Sequence, residues 1–318
     1  MDNERPIKRV LLTGATGFVG REVLRELVVR GYHPVCLVRS AHRAEAVVAR
    51  FTDRPRVVVG TLFDQSALRA AMADADAVIH LVGIIFEHRF SGQTFERIHR
   101  TGTANVARAA QELGIARFIH MSALGARPDA VSRYHQTKYQ AEQLVQGAGF
   151  DWTIFRPSLI HGPEGEFMQL MARFVRKMIP PVIPYFGSGE ARLQPVSVKD
   201  VAACMVAALS RPETIGQIYS VGGPEVYTWK TFYAACQRLI PGARRWKPIV
   251  GLPVPLATLV AKTIMKTPLV PQALRFNVDQ VAMAQEDSTC DPAPIREMLG
   301  GRLRRFEQEL ESYGELLG

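Results

Sequence analysis

Three glycines place the strongest constraint on this chain. The run Val10-Leu-Leu-Thr-Gly14-Ala-Thr-Gly17-Phe-Val-Gly20 leads from an apolar, strand-like stretch into Val19–Val29, whose apolar residues have helical spacing. Gly14 permits a tight turn. Gly17 lets the backbone approach a ligand with no Cβ in the way, and Gly20 allows close helix–strand packing. The first N–H groups of the helix point outward and carry about half a positive charge. Such a loop suits the pyrophosphate of a dinucleotide. The alternative is a glycine-rich turn with no ligand, and the pattern around the loop argues against it.

That pattern is an alternation of short apolar runs with longer amphipathic ones. Val35–Val38, Val57–Val59, Ala77–Val82, Phe118–Met121 and Trp152–Phe155 read as strands. Ala77–Val82 is apolar throughout apart from His80, as expected for a strand covered on both faces. Helices are expected from Ala41, over Ser66–Met72, over roughly Thr94–Leu113, and from Arg133 to Gln146. A βαβαβ rhythm of this kind demands a parallel, doubly wound α/β sheet of Rossmann type. We expect residues 1–160 to form it. Elements at about 194–222 should return to the sheet: Gln194–Val198, a helix over Lys199–Leu209, and Ile218–Val221. After Arg156-Pro157 proline becomes dense (Pro180, Pro181, Pro184, then Pro248, Pro253, Pro255, Pro268, Pro271). Residues 161–318 therefore read as a smaller, partly discontinuous substrate lobe.

Cofactor choice is written at the end of the second strand. Val38-Arg39-Ser40 carries an arginine where an NAD-preferring sheet places an acid for the ribose 2′-hydroxyl, and Arg43 follows one helical turn on. A guanidinium attracts a 2′-phosphate with about 1.5–3 kcal/mol. NADP(H) is expected over NAD(H); the alternative is a solvated surface arginine. Gly60-Thr61-Leu62-Phe63-Asp64 is placed beside the adenine, and His80-Leu81-Val82-Gly83 beside the nicotinamide ribose. The expected cofactor contacts are Gly14, Thr16, Gly17, Phe18, Val19, Gly20, Arg39, Arg43, Leu62, Leu81, Val82, Gly83, Tyr134, Lys138 and Pro157.

Tyr134-His-Gln-Thr-Lys138 carries the chemistry. Residues four apart share a helix face. A free tyrosine titrates near 10, and bringing it to about 7 takes roughly 4 kcal/mol. An ammonium near 4 Å supplies about that much only in a sheltered cleft. Tyr134 would then exchange a proton with a carbonyl or alcohol, Lys138 would also bond the nicotinamide ribose, and Ser122 would hold the substrate oxygen. The alternative is an exposed pair on a surface helix.

Taken together, Gly14-x-x-Gly17-x-x-Gly20, Ser122, Tyr134, Lys138, Arg156-Pro157-Ser158-Leu-Ile-His-Gly162-Pro163, Pro195-Val-Ser-Val-Lys-Asp200-Val-Ala and Tyr219-Ser-Val-Gly222-Gly223 resemble the short-chain dehydrogenase/reductase superfamily, in its extended or atypical, epimerase/dehydratase-like branch. The likeness covers about residues 7–240 and implies Ser122, Tyr134 and Lys138 as the catalytic set. Ser132-Arg-Tyr134, Pro181–Gly187 and the proline-rich tail from Gly251 resemble the group of the NADPH-binding accessory subunit of respiratory complex I, which also holds a coenzyme Q biosynthesis factor. One position departs from the superfamily: His99 stands where an asparagine is usual, either as its replacement or as a satisfied helix histidine.

The chain has 318 residues, 47% of them hydrophobic, and a net charge of +9, nearly all from 31 arginines against 8 lysines. Genome composition or an anionic partner would each produce this bias. Four scattered cysteines (Cys36, Cys204, Cys236, Cys290) predict neither disulfide framework nor metal site. A charged N-terminus and the lack of a long apolar run predict a cytoplasmic protein. In the tail, Pro255–Lys266 places Leu256, Leu259, Val260, Thr263 and Ile264 on one face, with Lys262 and Lys266 elsewhere. Two basic clusters, Arg244/Arg245/Lys247 and Arg173/Arg176/Lys177, stand near it. They read either as a surface resting on the inner face of a membrane or on a respiratory-complex subunit, or as ordinary lobe packing. No nucleic-acid module is visible. Three functions follow from this reading: an NADP(H)-dependent carbonyl/alcohol oxidoreductase linked to respiration or quinone metabolism; a non-catalytic NADPH-binding structural or assembly factor; and a nucleotide-sugar epimerase or dehydratase. The small-molecule substrate and the oligomeric state are left open.

Overall fold

The computed structural model describes residues 6–88, 91–178, 181–266 and 275–317. Its elements run β1 (Arg9–Thr13), α1 (Phe18–Val29), β2 (His33–Val38), α2 (Ala41–Val48), β3 (Arg56–Val59), α3 (Gln65–Met72), β4 (Ala77–His80), α4 (Gly102–Glu112), β5 (Arg117–Met121), α5 (Arg133–Gln146) and β6 (Asp151–Pro157). They continue β7 (Ile160–His161), α6 (Glu166–Arg176), β8 (Ile183–Phe186), β9 (Arg192–Leu193), β10 (Val196–Ser197), α7 (Val198–Ala207), β11 (Gln217–Val221), β12 (Tyr227–Thr228), α8 (Trp229–Leu239), β13 (Ile249–Leu252), α9 (Val254–Lys262), α10 (Val278–Met283), α11 (Ala293–Met298) and α12 (Phe306–Tyr313). Pro180, Pro268, Pro271 and the side chain of Lys266 lie outside the described residues.

The chain divides into two compact units. The first takes residues to Pro128, Tyr134–Arg156 and Lys199–Tyr219; the second takes Asp129–Arg133, Pro157–Val198 and Ser220 onward. The first unit is built on a seven-stranded sheet in the order β11-β6-β5-β4-β1-β2-β3. β1 pairs in parallel with both β2 and β4, and β4–β5, β5–β6 and β2–β3 are parallel as well. This is the Rossmann arrangement expected from the alternating runs. β1, β4 and β5 are covered on both faces, so Leu11, Val78 and Phe118 are buried against Leu68, Met72, Val106 and Ala110 on one of them. The strand order switches sides between β1 and β4, and the carboxyl ends of these strands are where such a fold binds ligands.

Two elements differ from the sequence reading. The long helix expected over Thr94–Leu113 begins as a π-helical turn, Glu96–Thr101, before becoming α4. Gln194–Val198 does not return to the sheet: β10 pairs with β7 and β9 with β12, each in a two-stranded ladder of the second unit. Only Ile218–Val221, within β11, joins the large sheet. Two residues suffice for such a ladder, and so short a run carries no readable alternation.

The core of the second unit gathers Met168, Met171, Val175, Phe232, Phe306 and Leu310 from α6, α8 and α12. Its basic clusters largely turn inward. Lys247 is buried and donates to the carbonyls of Phe174 and Lys177; Arg244 donates to Arg176 O at 2.8 Å; Arg176 donates to Pro241 O at 2.7 Å and to Leu317 O. These cations satisfy carbonyls at the C-terminus of α6 and in the neighbouring turns, so they are structural and not a free basic surface.

Candidate functional site

The glycine loop connects β1 to α1. Gly14 has φ +82°, in the left-handed region that favours glycine. A Cβ on Gly20 would lie 2.0 Å from Gly14 O and 2.9 Å from Ala15 Cα. Gly20 thus brings the helix against its own loop, where helix–strand contact was expected. Gly17 is the N-cap of α1, its N–H donating to Gly14 O at 2.9 Å, and no side chain caps the helix or places a carboxylate in its first turn. The loop abuts the end of β4: a Cβ on Gly14 would meet Leu81 Cβ at 3.4 Å and Val82 Cγ2 at 3.5 Å. Thr16 O accepts from Arg21 Nε, Phe18 is half-buried and Val19 is buried. A backbone cradle closed to side chains, under a helix N-terminus without acidic residues, fits a pyrophosphate.

Arg39 follows β2, is exposed, and makes no ion pair among the described residues; Arg43 is exposed too. Ser40 caps α2 by accepting from Arg43 N. Leu62 is buried against Gly102, and its carbonyl accepts from Asn105 Nδ2. Asp64 is the N-cap of α3, accepting from Ala67 N at 3.0 Å, with its carboxyl held below the usual range first by Ser66. That role accounts for Asp64 without a nucleotide. Pro157 closes β6 and is buried.

Ser122, Tyr134 and Lys138 come from the end of β5 and from α5. Ser122 is buried, and its Oγ has no hydrogen-bond partner among the described residues. Lys138 is buried and donates to Met121 O at 2.5 Å, one residue before Ser122. Burial brings its ammonium down to about 8, opposed by Glu142. Glu142 in turn is fully buried under a bidentate Arg156, with Nε–Oε1 2.8 Å and Nη2–Oε2 2.5 Å. Tyr134 is half-buried, and burial pushes its phenol up to about 12. In the protein without a nucleotide, burial therefore keeps the Tyr134 phenol protonated.

His99 lies between these groups. Its Nδ1 is 2.9 Å from Thr137 Oγ1, and its Nε2 is 3.0 Å from Ile84 N and 3.1 Å from Ile84 O. Its ring stacks on Phe95 and meets Tyr134 nearly at right angles. A Cβ on Gly83 would lie 3.5 Å from His99 Nε2 and 3.8 Å from Lys138 Nζ, so the end of β4, the π-helical turn and α5 converge here.

Two further histidines are paired here: His80, expected only at the end of the fourth strand beside the nicotinamide ribose, and His120, which was not singled out in the sequence. His80 and His120 are register partners on β4 and β5 and stack with centroids 5.5 Å apart. His80 bridges Thr13 Oγ1 at 2.7 Å and Thr103 Oγ1 at 3.1 Å. His120 is 1% exposed, and neither ring nitrogen has a partner among the described residues. Burial, helped by Lys138, holds all three rings neutral, with His80 at about 3, His99 at about 2 and His120 well below its ordinary value. The available signal was a histidine at the end of each of two otherwise apolar strands.

Among the described residues no group of His, Cys, Asp or Glu has metal-binding arrangement, and no helix is long and apolar enough to cross a membrane.

A Rossmann sheet with a glycine loop after β1, and with Ser122 at the end of β5 and Tyr134 and Lys138 on α5, is the arrangement of a nicotinamide-nucleotide protein of the atypical short-chain dehydrogenase/reductase kind. A family model described as NAD(P)H-binding matches residues 14–212, and the chain belongs to that family. It is 32% identical over 284 residues to the mitochondrial NADH dehydrogenase [ubiquinone] 1 alpha subcomplex subunit 9 of Arabidopsis thaliana, covering 86% of this chain and 69% of the plant protein. It is 35% identical over 205 residues to a ceramide reductase of Caulobacter vibrioides, covering 64% of this chain and 61% of that one. Its fold matches the crystal structure of UDP-glucose 4-epimerase from Thermotoga maritima with TM-score 0.71 over 97% of this chain and 98% of the other, at 18% identity.

Proposed function

We propose that this chain is an NADP(H)-dependent oxidoreductase acting on a carbonyl or alcohol of an apolar, lipid- or quinone-like molecule. The observation that carries the reading is a buried, unpartnered Ser122 Oγ at the end of β5 next to the carbonyl that anchors Lys138, with Tyr134 one turn before Lys138 on α5. The glycine loop would hold the pyrophosphate, and Arg39 with Arg43 a 2′-phosphate. A reduced nicotinamide supplies hydride when bound. The chain's own residues do the rest: Ser122 Oγ donates to the substrate oxygen, Tyr134 gives that oxygen its proton, and the Lys138 ammonium favours the phenolate left behind. In the free protein burial keeps Tyr134 protonated, and the positive nicotinamide ring would add to Lys138 in favouring the phenolate. The ceramide reductase among the relatives supports a long-chain apolar substrate.

A second reading is favoured by the likeness to the plant respiratory subunit and by the raised Tyr134 phenol. Here the nucleotide is held without turnover, as a structural ligand of a larger respiratory assembly. Tyr134→Phe separates the two. NADPH oxidation with a long-chain ketone that is lost in the variant, with nucleotide still bound, supports the oxidoreductase. No turnover of ketones or quinones by the wild type, with nucleotide retained in both proteins, overturns it in favour of the structural role.

A further inference from the structure

We infer that helix α9 of the second unit is a monotopic contact for an anionic lipid bilayer. The helix is turned inside out relative to an ordinary packed helix. Its small residues face inward, with Ala257 0% and Ala261 5% exposed, while Leu256 is 46% and Leu259 58% exposed; Ile264, just beyond, is 51% exposed. Leu256 and Leu259 are three apart and share a helix face. Among the described residues sixteen large hydrophobic side chains are exposed, and five of them (Trp246, Val250, Leu256, Leu259, Ile264) fall within nineteen consecutive positions. Scattered exposed leucines need no explanation, but neighbouring ones on a single helix face, as Leu256 and Leu259 are, mark an interaction surface.

Charge selects the occupant. No Asp or Glu occurs between Glu225 and Asp279, while eight Lys and Arg do. Arg244 and Lys247 are committed to backbone carbonyls, as shown above. Lys262 at the end of α9 is exposed and makes no ion pair among the described residues, and Arg245 beside Trp246 is likewise exposed. An apolar helix face with the exposed Lys262 at its end, in a stretch of sequence without carboxylates, complements anionic headgroups over acyl chains. A face that paired with a second copy of itself would bring like charges together, which this pattern disfavours. Such a surface would bring the protein to where long-chain apolar substrates reside, but it stands on α9 alone and not on the proposed reaction.

The test is co-flotation of the full chain with phosphatidylcholine vesicles with and without phosphatidylglycerol. The expected result is binding to the anionic vesicles only, weakened by high salt, and reduced at least about tenfold by Leu256→Glu/Leu259→Glu and by Lys262→Glu. Lys262→Glu alters an exposed charge and keeps the test valid should the double variant misfold; NADPH binding and thermal melting are measured alongside. Failure of the wild type to float, or flotation of Lys262→Glu equal to wild type, overturns the inference. So does a wild-type dimer in sedimentation that the leucine variant dissociates without any vesicle binding, because the occupant would then be a second copy.

Discussion

His99 and Tyr134 meet with ring planes at 82° and centroids 5.5 Å apart. The histidine is tied on its other sides to Thr137 and to the backbone of Ile84, so it sets where the tyrosine ring can lie. It is a satisfied buried histidine and also the wall of the candidate site. Replacing it with leucine removes its hydrogen bonds to Thr137 and Ile84 and loosens the Tyr134 ring. We expect a loss of about 2–3 kcal/mol in denaturant stability. Nucleotide affinity should change less than about threefold, while any turnover falls at least about tenfold through misplacement of Tyr134. Unchanged turnover in a folded His99→Leu protein would remove the positioning role.

The three buried histidines make the fold sensitive to acid. Their folded-state values lie below the ordinary 6.5, so the unfolded chain binds more protons whenever the pH is under 6.5. Stability is complete above that pH and is lost as the pH falls through the window. His80 and His99 each contribute about 2 kcal/mol of loss on going to pH 5, and His120 acts in the same direction. Urea melts at pH 7 and pH 5 check this. His120→Phe, which removes an imidazole with two unpartnered nitrogens, should flatten the pH slope.

Much of the first unit was legible because its information is local. Val10–Leu12, Val35–Val38 and Phe118–Met121 are apolar runs between helical periods, and Arg133–Gln146 was readable to the residue as α5. The glycine loop and the Ser122–Tyr134–Lys138 spacing were legible for the same reason. What escaped depends on distant neighbours. Whether His80 faces His120 follows from strand register across 40 residues of sequence, and nothing near either histidine encodes it. The basic cluster Arg176/Arg244/Lys247 looks like surface in sequence and is consumed by carbonyls that only the folded lobe supplies. On α9 the apolar stripe was visible, but not that the alanines would take the inside.

The Glu142–Arg156 pair anchors α5 to β6, beneath Lys138. Glu142 is fully buried, so Arg156→Met strands a carboxylate and should cost about 3–5 kcal/mol. Glu142→Leu in the same protein should recover part of that loss, giving a coupling of at least about 1 kcal/mol in a double-mutant cycle. Additive losses would show that the pair contributes no interaction of its own.

Tyr134 in the nucleotide-free protein should not ionise at moderate alkaline pH. Its phenol lies at about 12, raised by burial. The ultraviolet difference between wild type and Tyr134→Phe should show no phenolate band up to about pH 10, whereas a free tyrosine is half ionised there. A band appearing near pH 7 to 8 would mean that Lys138 already activates the phenol without the nucleotide.

The most direct measurement is calorimetric titration of the purified chain with NADPH and with NADH. Backbone amides at the start of α1 and the Arg39 guanidinium should take up NADPH at one per chain, about tenfold or more tighter than NADH, with the difference erased in Arg39→Ala. Heat from neither nucleotide with well-folded protein would contradict the account, because the cradle between Gly14 and Gly20 would then hold nothing.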